Sequence, residues 1–218
     1  YQSGSRVLVM ERGYIGDRFA WTSLGWNGLN GRAQFPEVPD DGGARFREHH
    51  GHLMQPWREG GEYVLLIGQV PGDAALNGRD LHPWYCEQAK RAAAHYGLPV
   101  RFRAHPLANR GGNRVREVPG APRIDGFLHE ALARAAVVIT FNSNTAVESV
   151  LAGRPTVAMD PGSMAWEVTS HSVEDPILMP DRETWAHRLA WKQWRMEEIR
   201  DGSALAYVFG MNPQRSAA

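Results

Sequence analysis

The sequence predicts an α/β protein built on a doubly wound, Rossmann-like parallel sheet, with a small loop-rich lobe ahead of it. Three observations carry this. Apolar runs with little polar alternation recur from about residue 62 onward, as strands covered on both faces require. Helix-compatible stretches separate those runs, so the strands must be parallel and joined by crossovers. Gly97 stands just past one such stretch, where a helix normally stops.

Residues 1–61 hold one good strand, RVLVMERG (6–13), followed by Gly/Asn/Trp-rich text and FPEVPDDGG. That composition predicts an incomplete or reduced N-terminal lobe. EYVLLIGQ (62–69) reads as a strand and LHPWYCEQAKRAAAHYG (81–97) as a helix. PVRFRAHP (99–106) is a strand, DGFLHEALARA (125–135) a helix, AVVITFN (136–142) a strand, TAVESVLAG (145–153) a helix and PTVAMD (155–160) a strand. DRETWAHRLAWKQWRMEEIRDG (181–202) reads as one long helix that Asp181 can cap and Gly202 can stop. Its Trp185, Leu189, Trp191, Trp194, Met196 and Ile199 cover more than one stripe, which predicts broad packing onto the body. The expected organisation is therefore 1–61, 62–180 and 181–218.

Composition narrows the function. In 218 residues, 24 Lys+Arg balance 24 Asp+Glu, so the net field favours neither nucleic acid nor an anionic membrane. The single cysteine, Cys86, excludes an internal disulfide framework and suits a reducing, cytoplasmic setting. No apolar run approaches the roughly 20 residues needed to span a bilayer, and no signal peptide is visible. There is no G-x-x-x-x-G-K-[ST] loop and no G-x-S-x-G elbow, which speaks against P-loop NTPases and α/β-hydrolases. His49, His50 and His52 cluster, but no ligand spacing accompanies them, and no metal site is expected.

In an open parallel sheet, ligands gather beyond the carboxyl ends of the strands. Those ends carry, in turn, Gln69 with Asp73; His105-Pro106; Asn142, Ser143, Asn144 and Thr145 with Glu148 one turn on; and Asp160. The polar turn before 145–153 has two readings. Thr145 and Glu148 fit a capping box; alternatively the helix start and its hydroxyls hold an anion while Glu148 accepts from a ribose diol. His105 is either structural or a donor to phosphate, its backbone held extended by Pro106. Arg101, Arg103, Arg110, Arg114, Arg116 and Arg123 form either a solvated basic loop or a clamp for an anion. In ERGYIGDRFAWTSLGWNGLNGRAQF (11–35), Glu11 and Asp17 are both candidates for a catalytic base, with Arg18 beside them; the residues do not choose between the two.

YVLLIGQVPGDAAL, VRFRAHP and VVITFNSNTAVESVLAGRPTVAM resemble, in that order, capsular-polysaccharide-type glycosyltransferases, which include Kdo and sialic-acid transferases. The matching positions are Gln69, Val70, Asp73, His105, Pro106, Asn142, Ser143 and Glu148, and the resemblance covers roughly 62–170. It implies a GT-B C-terminal-type domain with 1–61 on the acceptor side. It also implies a nucleotide-sugar donor, UDP- or CMP-linked, with His105, Ser143 and Thr145 facing the donor phosphates and Glu148 the ribose. No cofactor or metal is required if those groups suffice. The opening and closing segments look similar to phage and prophage proteins grouped with glycosyltransferases. That implies a glycan or a hydroxymethylated DNA base as acceptor. A nucleotide-sugar epimerase or hydrolase, and a non-enzymatic phage accessory binding protein, are the alternatives.

Overall fold

The computed structural model describes residues 4–109 and 115–210. In chain order the elements are β1 (Leu8–Arg12), β2 (Trp21–Trp26), α1 (Ala44–His50), β3 (Tyr63–Ile67), α2 (His82–Tyr96), β4 (Val100–Arg103), α3 (Leu128–Arg134), β5 (Ala135–Thr140), α4 (Thr145–Leu151), β6 (Thr156–Ala158), α5 (Glu183–Ala190), β7 (Gln193–Arg195), α6 (Met196–Arg200) and α7 (Ser203–Val208). They divide into two compact units. One combines the two ends of the chain, up to Leu53 and from Asp181 onward; the other is Met54–Pro180. Among the described residues no helix is long and apolar enough to cross a membrane.

The Met54–Pro180 unit holds the parallel sheet that the sequence predicts, in the order β4-β3-β5-β6. Every residue of β3, β5 and β6 is buried, which is why those runs lack polar alternation. Alternate side chains feed two cores. Val64, Leu66, Val137 and Ile139 join Phe102 and the Tyr85, Ala89 and Ala92 face of α2. Tyr63, Leu65, Ile67 and Val138 pack with Ala131 and Leu132 of α3. Full burial of a Leu, Ile or Val here contributes roughly 1.5–3 kcal/mol apiece. Helix α2 begins with proline in its first turn and stops at Gly97, whose φ of 64° is the left-handed cap. Its buried Tyr85, Gln88, Ala89 and Ala92 fall at i, i+3, i+4 and i+7, a single stripe turned to the sheet.

The sequence places a boundary after residue 61, whereas this unit begins at Met54. Residues 55–60 are hydrogen-bonded into it: Gln55 N donates to Leu151 O and Arg58 N to Gly153 O. Gly153 has φ 73°, and a Cβ there would lie 2.0 Å from Pro56 O, so only glycine lets this segment lie against the α4–β6 turn.

The other unit is more ordered than a loop-rich lobe. β1, β2 and β7 form an antiparallel sheet in that order, with Trp21 opposite Arg195 and Thr22 opposite Trp194. The long helix expected over 181–202 is not formed. It is replaced by α5, β7 and α6. Gln193 and Trp194 are consecutive and both buried, Trp194 among Leu24, Trp26, Ala204 and Val208 and Gln193 among polar partners on the other side. Burial of consecutive residues in opposite directions is a strand's alternation, and it accounts for apolar coverage wider than one helical stripe.

Polar side chains wire this sheet together. Gln193 Oε1 accepts from Tyr14 N (2.6 Å) and Ile15 N (2.9 Å), and Gln193 Nε2 donates to Ile15 O (3.3 Å) and His50 Nε2 (2.9 Å). Because the two main-chain groups can only donate, Oε1 must face them, and His50 Nε2 must be the unprotonated ring nitrogen. Arg45 grips both oxygens of Glu198 at 2.6 and 2.9 Å and donates to Ala190 O and Gln193 O. Its guanidinium also lies 4.5 Å from the Trp194 ring centre.

Candidate functional site

The chain runs from β3 out to β4 and then returns to β5 on the opposite side of β3, so the strand order reverses between β3 and β5. This is where ligands enter doubly wound sheets. Three of the residues singled out in the sequence, Gln69, Asn142 and Asp160, meet there. Gln69 Oε1 accepts from Asn142 N (3.1 Å), and Gln69 Nε2 donates to Asn142 Oδ1 (2.8 Å). The direction of the chain is again fixed by a main-chain N–H. Asn142 Nδ2 must then point onward, and it donates to Asp160 Oδ1 (3.0 Å) and to Ala75 O (3.1 Å). Asp160 Oδ1 also accepts from Gly162 N at 2.9 Å. The carboxyl ends of β3, β5 and β6 are thus joined by one chain of amides ending in a carboxylate.

Beside this chain lies a cavity of about 320 Å³ between the carboxyl ends of β3 and β4 and the first turn of α2. Leu76, Tyr85, Phe102 and Ala108 give it an apolar floor, while Gln69, Arg79, His82, His105 and Arg116 bring polar and cationic groups to it and Asp80 adds one carboxylate. The β3 and β4 ends approach closely because residue 68 is glycine: a Cβ there would lie 2.8 Å from Phe102 Cζ. Burial pushes the Tyr85 hydroxyl up to about 12, against the lowering effect of the hydrogen bond it accepts from Gln69 N at 2.8 Å. It stays a neutral phenol. His105 Nδ1 accepts from Leu107 N at 3.1 Å, so the neutral ring carries its proton on Nε2. His82 Nε2 donates to Glu117 O at 2.8 Å, and Arg116 pairs with Asp80.

The cavity gathers Gln69 and His105 of the residues expected at the site. Its lining does not include Asp73, Arg103, Asn142, Ser143, Asn144, Thr145 or Glu148. Asp73 is exposed and caps the turn at Ala74–Leu76, accepting from Ala75 N at 2.8 Å. Arg103 donates to Gly126 O at 2.8 Å. At α4 the capping differs from the Thr145–Glu148 box. Asn144 occupies the cap position, Ser143 Oγ accepts from Thr145 N (3.2 Å), and Glu148 Oε1 accepts from Asn144 Nδ2 (3.3 Å). Of the arginine-rich stretch, Arg110 and Arg114 lie outside the described residues, and Arg123 pairs with Asp125.

Glu11, Asp17 and Arg18 belong to the other unit. Glu11 is exposed on β1 opposite Ser23. Asp17 Oδ1 accepts from Phe19 N (2.9 Å), closing a turn, and Arg18 Nε donates to Gly13 O (2.7 Å). Sequence reasoning passed over Arg79, His82 and Tyr85. The signal for them was the start of α2: Asp80-Leu81-His82-Pro83 marks a helix N-terminus that opens onto a strand end.

No protein-family model matches the chain, and no curated protein matches it in sequence. Solved structures do match. The beta Kdo 2,7 transferase of Thermosulfurimonas dismutans KpsC aligns with a TM-score of 0.55 at 17% identity, over 83% of this chain and 68% of that one. The beta Kdo 2,4 transferase of the same KpsC aligns with a TM-score of 0.53 at 16% identity, over 89% and 78%. The chain has the fold of these Kdo transferases. Kdo transferases are among the enzymes that the sequence motifs resemble. Among the described residues no group of three or more His, Cys, Asp or Glu is placed to hold a metal ion.

Proposed function

We propose that this protein is a glycosyltransferase that takes a sugar from a nucleotide-sugar donor held by the Met54–Pro180 unit and passes it to a hydroxyl group of a glycan. One observation carries the reading. A cavity with an apolar floor and cationic rim lies at the carboxyl edge of a doubly wound sheet, beside the strand-order reversal, in a fold shared with Kdo transferases.

The chemistry suits what surrounds that cavity. As the bond between the anomeric carbon and the phosphate oxygen breaks, the leaving nucleotide gains negative charge, and the acceptor oxygen forms the new bond at the same carbon while its hydroxyl proton passes to water. Fixed donors and cations near the leaving oxygen lower the barrier. His105 Nε2–H and the cations at the cavity mouth are such groups. The apolar floor, with the Tyr85 and Phe102 rings, suits the nucleotide's heteroaromatic part.

Calorimetry with CMP- and UDP-sugars tests the proposal. The wild type is expected to bind one of them, and His105→Ala to weaken that binding about tenfold, roughly 1.4 kcal/mol. Sugar transfer is then read by NMR of products with and without a glycan acceptor. Absence of binding to every donor overturns the proposal, and donor breakdown that ignores the acceptor would replace transferase with hydrolase or epimerase.

A further inference from the structure

We infer that Arg79 is the residue that meets the donor's phosphate at the mouth of the β3–α2–β4 cavity, and that Asp160, from the loop after β6, is the positioning residue that holds it there. The inference rests on the nucleotide-sugar reading and adds two residues to it.

Arg79 follows the turn Ala74–Leu76 and lines the cavity, with its side chain 60% exposed. A long cation in that position would ordinarily sample many rotamers, and a ligand that fixes it bears that loss of freedom. Two contacts narrow its range beforehand. Nη1 lies 3.8 Å from Asp160 Oδ2, and the guanidinium carbon lies 5.5 Å over the Phe141 ring. The Asp160 separation is that of an ion pair and too long for a hydrogen bond, so it directs the guanidinium while leaving its N–H groups able to bond an anion.

Asp160 can act this way because it is itself fixed. It is 5% exposed, and Asn142 Nδ2 and Gly162 N both donate to Oδ1, which turns Oδ2 toward Arg79. The second hydrogen of the same Asn142 amide anchors Ala75 O, in the turn that delivers Arg79. One asparagine, 4% exposed, therefore sets both the backbone that carries the cation and the carboxylate that aims it. An interaction of this kind acts only on a charged ligand, which separates it from a packing role.

The experiment compares CMP and UDP with cytidine and uridine, by calorimetry, on the full chain. Expected results are a roughly tenfold loss of nucleotide affinity in Arg79→Gln and a threefold to tenfold loss in Asp160→Asn. Nucleoside affinity is expected to be unchanged in both. In the double variant, Asp160→Asn is expected to cost nothing further, because its effect passes through Arg79. The inference is overturned if Arg79→Gln binds nucleotide as the wild type does, if Asp160→Asn raises nucleotide affinity, or if its loss persists without Arg79. Should Asp160→Asn fail to fold, the exposed Arg79→Gln still decides the first clause. A wild type that binds no nucleotide or nucleotide-sugar removes the function proposed above as well, whereas a binding wild type with indifferent variants removes only this inference.

Discussion

In the Met54–Pro180 unit Val64–Ile67 of β3 and the first five residues of β5 are apolar, and polar side chains collect where the strands finish. In the other unit a glutamine with 0% exposure, Gln193, lies within the sheet and accepts from the main-chain N–H groups of Tyr14 and Ile15. The first arrangement separates folding from chemistry: hydrophobic burial builds the sheet, and the edge is left for ligands. The second joins them, because the buried polar atoms are themselves the structure and each has a cost if unpaired. Substitutions should therefore behave differently in the two units.

The sharpest way to break that contrast is Gln193→Leu. It leaves Tyr14 N and Ile15 N without their acceptor. At about 1–3 kcal/mol for each stranded group, the expected loss is roughly 4 kcal/mol in urea unfolding. A loss below about 1 kcal/mol would show that the wiring is ornamental. Next comes Leu66→Ala, fully buried in β3, expected to cost about 3 kcal/mol by cavity formation. Hydrogen exchange should show the lost protection among residues 54–180; protection lost only elsewhere would contradict the division of the chain.

Acidification sharpens the comparison further. Burial, with the neighbouring charges of His49 and Arg45, holds His50 down at about 4, below the ordinary 6.5. Between those values the unfolded chain binds the proton and the folded one does not, so stability rises with pH through that window and falls as pH drops from 6.5 toward 4. The expected contribution is about 3 kcal/mol, and burial lowers His49 in the same sense. His50→Gln, whose carbonyl can still accept from Gln193, should flatten the slope of urea midpoint against pH; an unchanged slope would assign it to other groups. The smallest effect is expected for Ser143→Ala, which removes the acceptor for Thr145 N at the start of α4 and should cost about 1 kcal/mol in the same assay.

Sequence reading reached each unit to the extent that hydrophobic pattern built it. The runs at 62–69, 99–106 and 155–160 contain β3, β4 and β6, the run at 136–142 covers all of β5 but Ala135, and 81–97 contains α2 with its stop at Gly97. β2 and β7 escaped because their pairing joins Trp21 to Arg195, from opposite ends of the chain, and WTSLGW carries no alternation of its own. At the site, His105 and Gln69 were legible as polar residues at strand ends. Arg79 was not, because nothing local shows that a turn held by Asn142 and a carboxylate after β6 bring it to the cavity.

The amide chain at the strand ends makes the protein sensitive to ageing at one atom. Asn142 precedes a serine, and hydrolysis of its side-chain amide would exchange the nitrogen that faces Asp160, at 3.0 Å, for an oxygen. Two like charges would then stand face to face where the carboxyl ends of β5 and β6 are joined. An Asn142→Asp protein reports this directly: relative to the wild type it should be weaker at pH 7 than at pH 4, where one carboxyl can keep its proton.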